Sequence, residues 1–125
     1  MIAFTIYGEP ASKANARRIV TLRGRPAVIK SKKALDYERS ALLQVPVMAP
    51  LTGDLCFTAT IYYASRRPDL DESVLLDVLQ ARVVNGHLVR RGVYLNDRQI
   101  KQKHIFWGLD KQSPRADIMI APITD

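Results

Sequence analysis

Asp54-Leu55-Cys56-Phe57-Thr58-Ala59-Thr60-Ile61-Tyr62-Tyr63-Ala64 is followed by Ser65-Arg66-Arg67-Pro68-Asp69-Leu70-Asp71-Glu72. Leu55, Phe57, Ala59, Ile61 and Tyr63 alternate with Cys56, Thr58, Thr60 and Tyr62. A period of two, rich in β-branched and aromatic residues, predicts a strand. Both faces carry apolar groups, so the strand belongs inside a sheet. Pro68 and the acids after it are a helix-start signal. Leu70, Val74 and Val78, with Leu75 and Leu79, then predict an apolar helix face to about Ala81. A strand thus hands the chain to a helix through Asp-x-Asp preceded by two arginines, and Asn96-Asp97 follows about a helix and a loop later.

Acids at a helix start have an ordinary use, since they complement the dipole by ~0.3–1 kcal/mol each. They also have a chemical one. Magnesium takes oxygen ligands and keeps waters for a phosphate-bearing substrate, and guanidinium groups match phosphate oxygens in bidentate fashion. Asp69, Asp71 and Asp97 are therefore the candidate metal-ligating and catalytic residues. Arg66 and Arg67 are candidate phosphate ligands beside them.

Outward from this stretch, Ile2, Phe4 and Ile6 alternate as a strand that ends at Gly8-Glu9-Pro10. Ala11 to Arg18 is a polar loop of small, basic and amide residues. Lys13, Asn15, Arg17 and Arg18 are its candidate backbone-binding residues for a nucleic acid. Ile19–Leu22 and Ala27–Ile29 flank Arg23-Gly24-Arg25-Pro26, a hairpin with a basic tip. Ser31 caps a helix whose stripe comprises Ala34, Leu35, Tyr37, Ala41 and Leu42, with Glu38, Arg39 and Ser40 toward water, and Pro46 ends it. Val83-Val84 and Leu88-Val89 flank Asn85-Gly86 as a second small hairpin. Arg90-Arg91 reads as either a phosphate contact or a solvated turn, and Asn96-Asp97 as either a turn or a cap. Ile100 to Trp107 and Ala116 to Ala121 are further strands. His104 is a candidate proton shuttle or an ordinary strand histidine, and Trp107 reads as core or interface.

The chain has 125 residues, 47% apolar and 25% charged, which bounds it to one globular domain over residues 1–125. No apolar run approaches a membrane span, and the opening residues lack a leader pattern. The lone Cys56 suits a reducing compartment, and with only His87 and His104 beside it a Cys/His zinc site is not expected. Net charge is +7, and Ser12 to Lys33 holds Lys13, Arg17, Arg18, Arg23, Arg25, Lys30, Lys32 and Lys33 with no acid. Such a patch attracts polyanions, or is simply a solvated face.

Strand, Arg-Arg-Pro-Asp-Leu-Asp, apolar helix and Leu-Asn-Asp-Arg-Gln-Ile, in that order, resemble the RusA family of Holliday-junction resolvases. Pro10 to Arg17 is similar to that family's early loop. The resemblance implies an α+β fold, a small mixed sheet with two main helices. It also implies a magnesium-dependent homodimer (manganese serving as well) that nicks four-way DNA junctions in the cytoplasm of a bacterium or for a phage. Asp69, Asp71 and Asp97 match the family's catalytic carboxylates. The chain departs from the pattern at Glu72, where Asn is common, at Leu75, where a functional lysine is usual, and at Asn96, where an acid stands. The Val83–Gly92 link is also longer. Leu75 and Asn96 motivate an alternative, a protein of this fold that binds branched DNA without cutting it.

Overall fold

A computed structural model describes residues 1–10, 17–66 and 70–123, with Arg17 described by its main chain alone. The elements run β1 (Ile2–Tyr7), β2 (Arg17–Leu22), β3 (Arg25–Lys30), α1 (Lys32–Leu42), β4 (Leu55–Tyr63), α2 (Ser73–Leu79), β5 (Arg82–Val84), β6 (His87–Arg90), β7 (Ile100–Leu109) and β8 (Arg115–Pro122). The fold is α+β with a mixed sheet and two helices, as expected.

The sheet has the order β1-β8-β4-β7. β4 pairs antiparallel with β8 and parallel with β7, so it is an inner strand. Its burial alternates strictly. Leu55, Phe57, Ala59, Ile61 and Tyr63 are fully buried, and the residues between them only half so. The buried face meets Ile6, Ile118 and Ile120 from the sheet, Tyr37 and Ala41 from α1, and Leu75, Val78 and Leu79 from α2. Each large apolar side chain buried there contributes ~1.5–3 kcal/mol. The helices therefore cover one face of the sheet, and among the described residues no helix covers the other.

Both helices differ in detail from expectation. In α1, Ser31 caps as predicted, its Oγ accepting from Ala34 N at 3.2 Å. Leu35 is 44% exposed and leaves the predicted stripe, while Glu38 turns inward to bind Lys30 Nζ at 2.9 Å. α2 begins later and ends sooner than the apolar period suggests. Gln80 is already extended and bridges to Tyr94. Trp107, read as core or interface, is 41% exposed on the edge strand β7.

Arg90 and Arg91, both half-buried, donate hydrogen bonds to the ends of the two helices. Arg90 Nη2 donates to Asp77 O and Gln80 O, both at 2.9 Å, at the end of α2. Arg91 Nη2 reaches Leu42 O and Leu43 O at a longer 3.4 Å, at the end of α1. Each guanidinium meets carbonyls in the last turn or at the cap of a helix. Gln44 plays a similar part at the free edge of β1. Its amide accepts from Tyr7 N at 2.6 Å and donates to Tyr7 O at 3.0 Å, closing that stretch to further strand pairing.

Two hairpins stand outside the main sheet. β2 and β3 pair only with each other, as do β5 and β6. Both turn through two left-handed residues, Arg23-Gly24 (φ 53° and 76°) and Asn85-Gly86 (φ 52° and 78°). Asparagine suits that position, whereas a left-handed arginine costs ~1–2 kcal/mol.

Arg90→Met and Arg91→Met are each expected to lower stability by ~1 kcal/mol through the lost cap. Denaturant melts measure the loss. Tyr37→Phe should match or exceed wild type in Tm, because the buried Tyr37 hydroxyl has no hydrogen-bond partner among the described residues.

Candidate metal centre

β4 ends at Tyr63, and its hydroxyl accepts from Asp71 N at 3.3 Å, fixing the chain as it re-enters toward α2. Asp71 Oδ1 accepts from Ser73 N at 3.0 Å and from Ser73 Oγ at 2.7 Å. This short-range turn competes with helix and explains why α2 starts at Ser73 rather than near Pro68. Glu72 occupies the cap position of α2 without a side-chain cap bond. It binds Lys103 Nζ instead, at 3.1 Å, across from β7. The helix start thus carries two separate ties, Asp71 to Ser73 and Glu72 to Lys103.

Leu75, where the resemblance to RusA resolvases implies a lysine, is fully buried in the core. A cation there would lie in apolar surroundings; among the described residues, Lys103 brings positive charge to this end of α2 through Glu72.

The second carboxylate is held through its backbone. After α2 the chain returns and threads past the helix exit. Val93 N donates to Leu79 O at 2.8 Å, Ala81 N to Tyr94 O at 2.7 Å, and Leu51 N to Val93 O at 2.7 Å. Gly92 permits this approach, since a Cβ there would strike the backbone of Ala81, 2.6 Å from its Cα. Tyr94 is fully buried and donates its hydroxyl to Leu76 O at 2.5 Å.

Asn96 then caps a single 3-10 turn, Asp97–Gln99, with Oδ1 accepting from Arg98 N at 2.8 Å. Gln99 closes the capping box, and its amide is the hub of the region. Its Oε1 accepts from Leu95 N at 3.0 Å and Asn96 N at 3.1 Å. Its Nε2 donates to Leu51 O at 2.9 Å and Gly53 O at 3.0 Å. Gln80 Oε1 accepts from Asp97 N at 2.9 Å. Asp97 is thus exposed on a firmly tied turn, and its carboxylate has no hydrogen bond or ion pair among the described residues.

Asp97 is brought into the electrostatic neighbourhood of Asp77, toward the end of α2. Partial burial holds the Asp77 carboxyl above the ordinary range; Lys30 and Arg90 oppose that rise, and Asp97 and Glu38 add to it. Local pattern gives Asp77 little weight and does not single out Gln80 or Gln99. Gln99 has a legible signal all the same, the Asn-x-x-Gln of a capping box.

Among the other candidates, Arg66 and Arg18 are exposed. Asp69, Arg67, Lys13 and Asn15, and the side chain of Arg17, lie outside the described residues. No group of three His, Cys, Asp or Glu placed to hold a metal ion occurs among the described residues, which exclude Asp69. His104 pairs with Thr58 on the open face of the sheet, opposite the helices, so it does not serve α2 as a proton shuttle. No protein-family model matches the chain, and no curated protein matches it.

Gln99→Leu keeps the side chain's size and removes four hydrogen bonds. It should cost ~2–4 kcal/mol and abolish hydrogen-exchange protection at the Leu95 and Asn96 amides while leaving β4 amides protected.

Proposed function

We propose that this chain is a magnesium-dependent endodeoxyribonuclease that resolves branched DNA, acting as a homodimer in a bacterial or phage setting. The observation that carries the reading is a carboxylate anchored at a helix start, Asp71 held by Ser73, with the Glu72–Lys103 pair one residue on in sequence. Asp97 stands at the other end of α2, on a tied turn whose backbone Gln80 holds.

The donor set suits magnesium. Aspartates are hard oxygen ligands, and the exposed carboxylate of Asp97 is available to a cation. Asp69, Asp71 and Asp97 would hold the metal. When bound, the metal would supply Lewis-acid polarisation of a phosphodiester and acidify water at neutral pH.

The chain's own residues do the rest. Ser73 holds the Asp71 carboxylate, which reduces the rotamer freedom lost on binding. Gln99 and Gln80 do the same for the backbone of Asp97. Lys103, drawn to the helix start by Glu72, offers positive charge to a phosphate oxygen whose charge grows as the bond breaks. Lys13, Arg17, Arg18, Arg66 and Arg67 would bind flanking phosphates, giving affinity that is salt-dependent and little affected by sequence. A two-fold dimer would present two such centres to a substrate with two strands to cut.

The buried Leu75 favours one second reading, a protein of this kind that binds junctions without cutting. Incubation of a synthetic four-way junction with Mg²⁺ separates the two. Paired nicks that disappear with chelator and in Asp71→Asn or Asp97→Asn are expected, with a loss of at least about 100-fold in each variant. Tight junction binding with no nicks in Mg²⁺ or Mn²⁺ would establish the second reading.

A further inference from the structure

The β2–β3 hairpin adds no side chain to the buried core among the described residues, and Lys30 ties its end to α1 through Glu38. It pairs in the register Ile19↔Val28 and Thr21↔Pro26 on one face, and Arg18↔Ile29, Val20↔Ala27 and Leu22↔Arg25 on the other. The first face is bare: Ile19 is 76% and Val28 63% exposed. The turn places Arg23 in the left-handed region, where the chain's other two-residue turn uses asparagine. Arg18, Arg23 and Arg25 are all exposed, and no carboxylate among the described residues pairs with any of them. An isolated two-stranded ribbon gains little stability by itself. This one nonetheless holds an apolar pair in water and an unusual arginine at its tip.

We propose that this hairpin is an arm that lies in the major groove of a nucleic-acid duplex. It carries only positive charge, which complements a polyanion. Its dimensions match as well. Strands about 4.8 Å apart and six residues long make a ribbon about 20 Å in length. A ribbon of this kind enters a major groove about 12 Å wide and is too broad for a minor groove of about 6 Å. Ile19 and Val28 face the base edges, while Arg23 at the tip and Arg25 on the outward face reach sideways to phosphates on the groove walls. The inference rests on the reading that DNA is the partner and is independent of cleavage.

The test uses the full chain in chelator, with fluorescence anisotropy on a duplex and on a four-way junction across a range of NaCl. One variant is Arg23→Asn with Arg25→Gln, asparagine being tolerant of the left-handed position. The other is Ile19→Thr with Val28→Thr, which keeps strand propensity. Thermal melts establish that each is folded.

The charge variant is expected to bind about tenfold more weakly at low salt. Its slope of log K against log salt should be shallower by about 1.8, because two phosphates are no longer neutralised. The apolar variant is expected to bind several-fold more weakly with an unchanged slope. Wild-type affinity and slope in both variants would overturn the arm, and so would unchanged DNA binding accompanied by dissociation of an oligomer in sedimentation, which would make the hairpin a subunit contact. Junction nicking with Mg²⁺ in variants that bind normally would sink the arm and leave the nuclease reading standing. Weakened binding in variants of a protein that never nicks would keep the arm and sink the nuclease.

Discussion

Everything in this molecule depends on the burial of β4. It has a hydrogen-bonded strand on each side and helices against one face, and five of its nine side chains are fully buried. A strand so placed cannot slip, because a shift of one residue would turn those side chains outward. Its last residue, Tyr63, reaches forward to the backbone of Asp71. The most constrained strand therefore fixes the start of α2, where the chemistry is proposed to occur.

The second anchor is the passage from Gly92 to Gln99. Its backbone is laced to the exit of α2 and to Leu51, Tyr94 is plugged into the core, and Gln99 commits its whole amide to four backbone groups. Polar satisfaction of this completeness rigidifies a turn and specifies one arrangement. The two arginines before it close both helix ends, so the segment that carries Asp97 also ties down the helices that flank it.

Much of this is legible in the residues taken in order. Alternation reveals the strands, Ser31 and Pro46 bound α1, and Asn85-Gly86 marks its hairpin. Local pattern fails where partners are distant in sequence. Nothing local distinguishes Arg90 and Arg91 from phosphate ligands, because their acceptors lie 10 and 49 residues away. Leu35 fits the helix period but faces outward, since a stripe drawn at 3.6 residues per turn does not say how wide the sheet beneath it is. His104 suits a shuttle by residue type alone, and strand register puts it on the open face. Of the proposed carboxylates, Asp71 is legible as a helix-start acid. Asp97 is legible only beside a capping signal, and that signal depends on Gln99 three residues beyond the cap.

The central claim is that Asp71 and Asp97, held by separate devices, act on one divalent cation. Titration with Mn²⁺ followed by amide NMR tests it most directly. The claim predicts that the Asp71 and Asp97 amides broaden together, at one affinity, and that Mg²⁺ reverses both. Broadening at Asp97 and Asp77 with Asp71 untouched, or at neither aspartate, would contradict it.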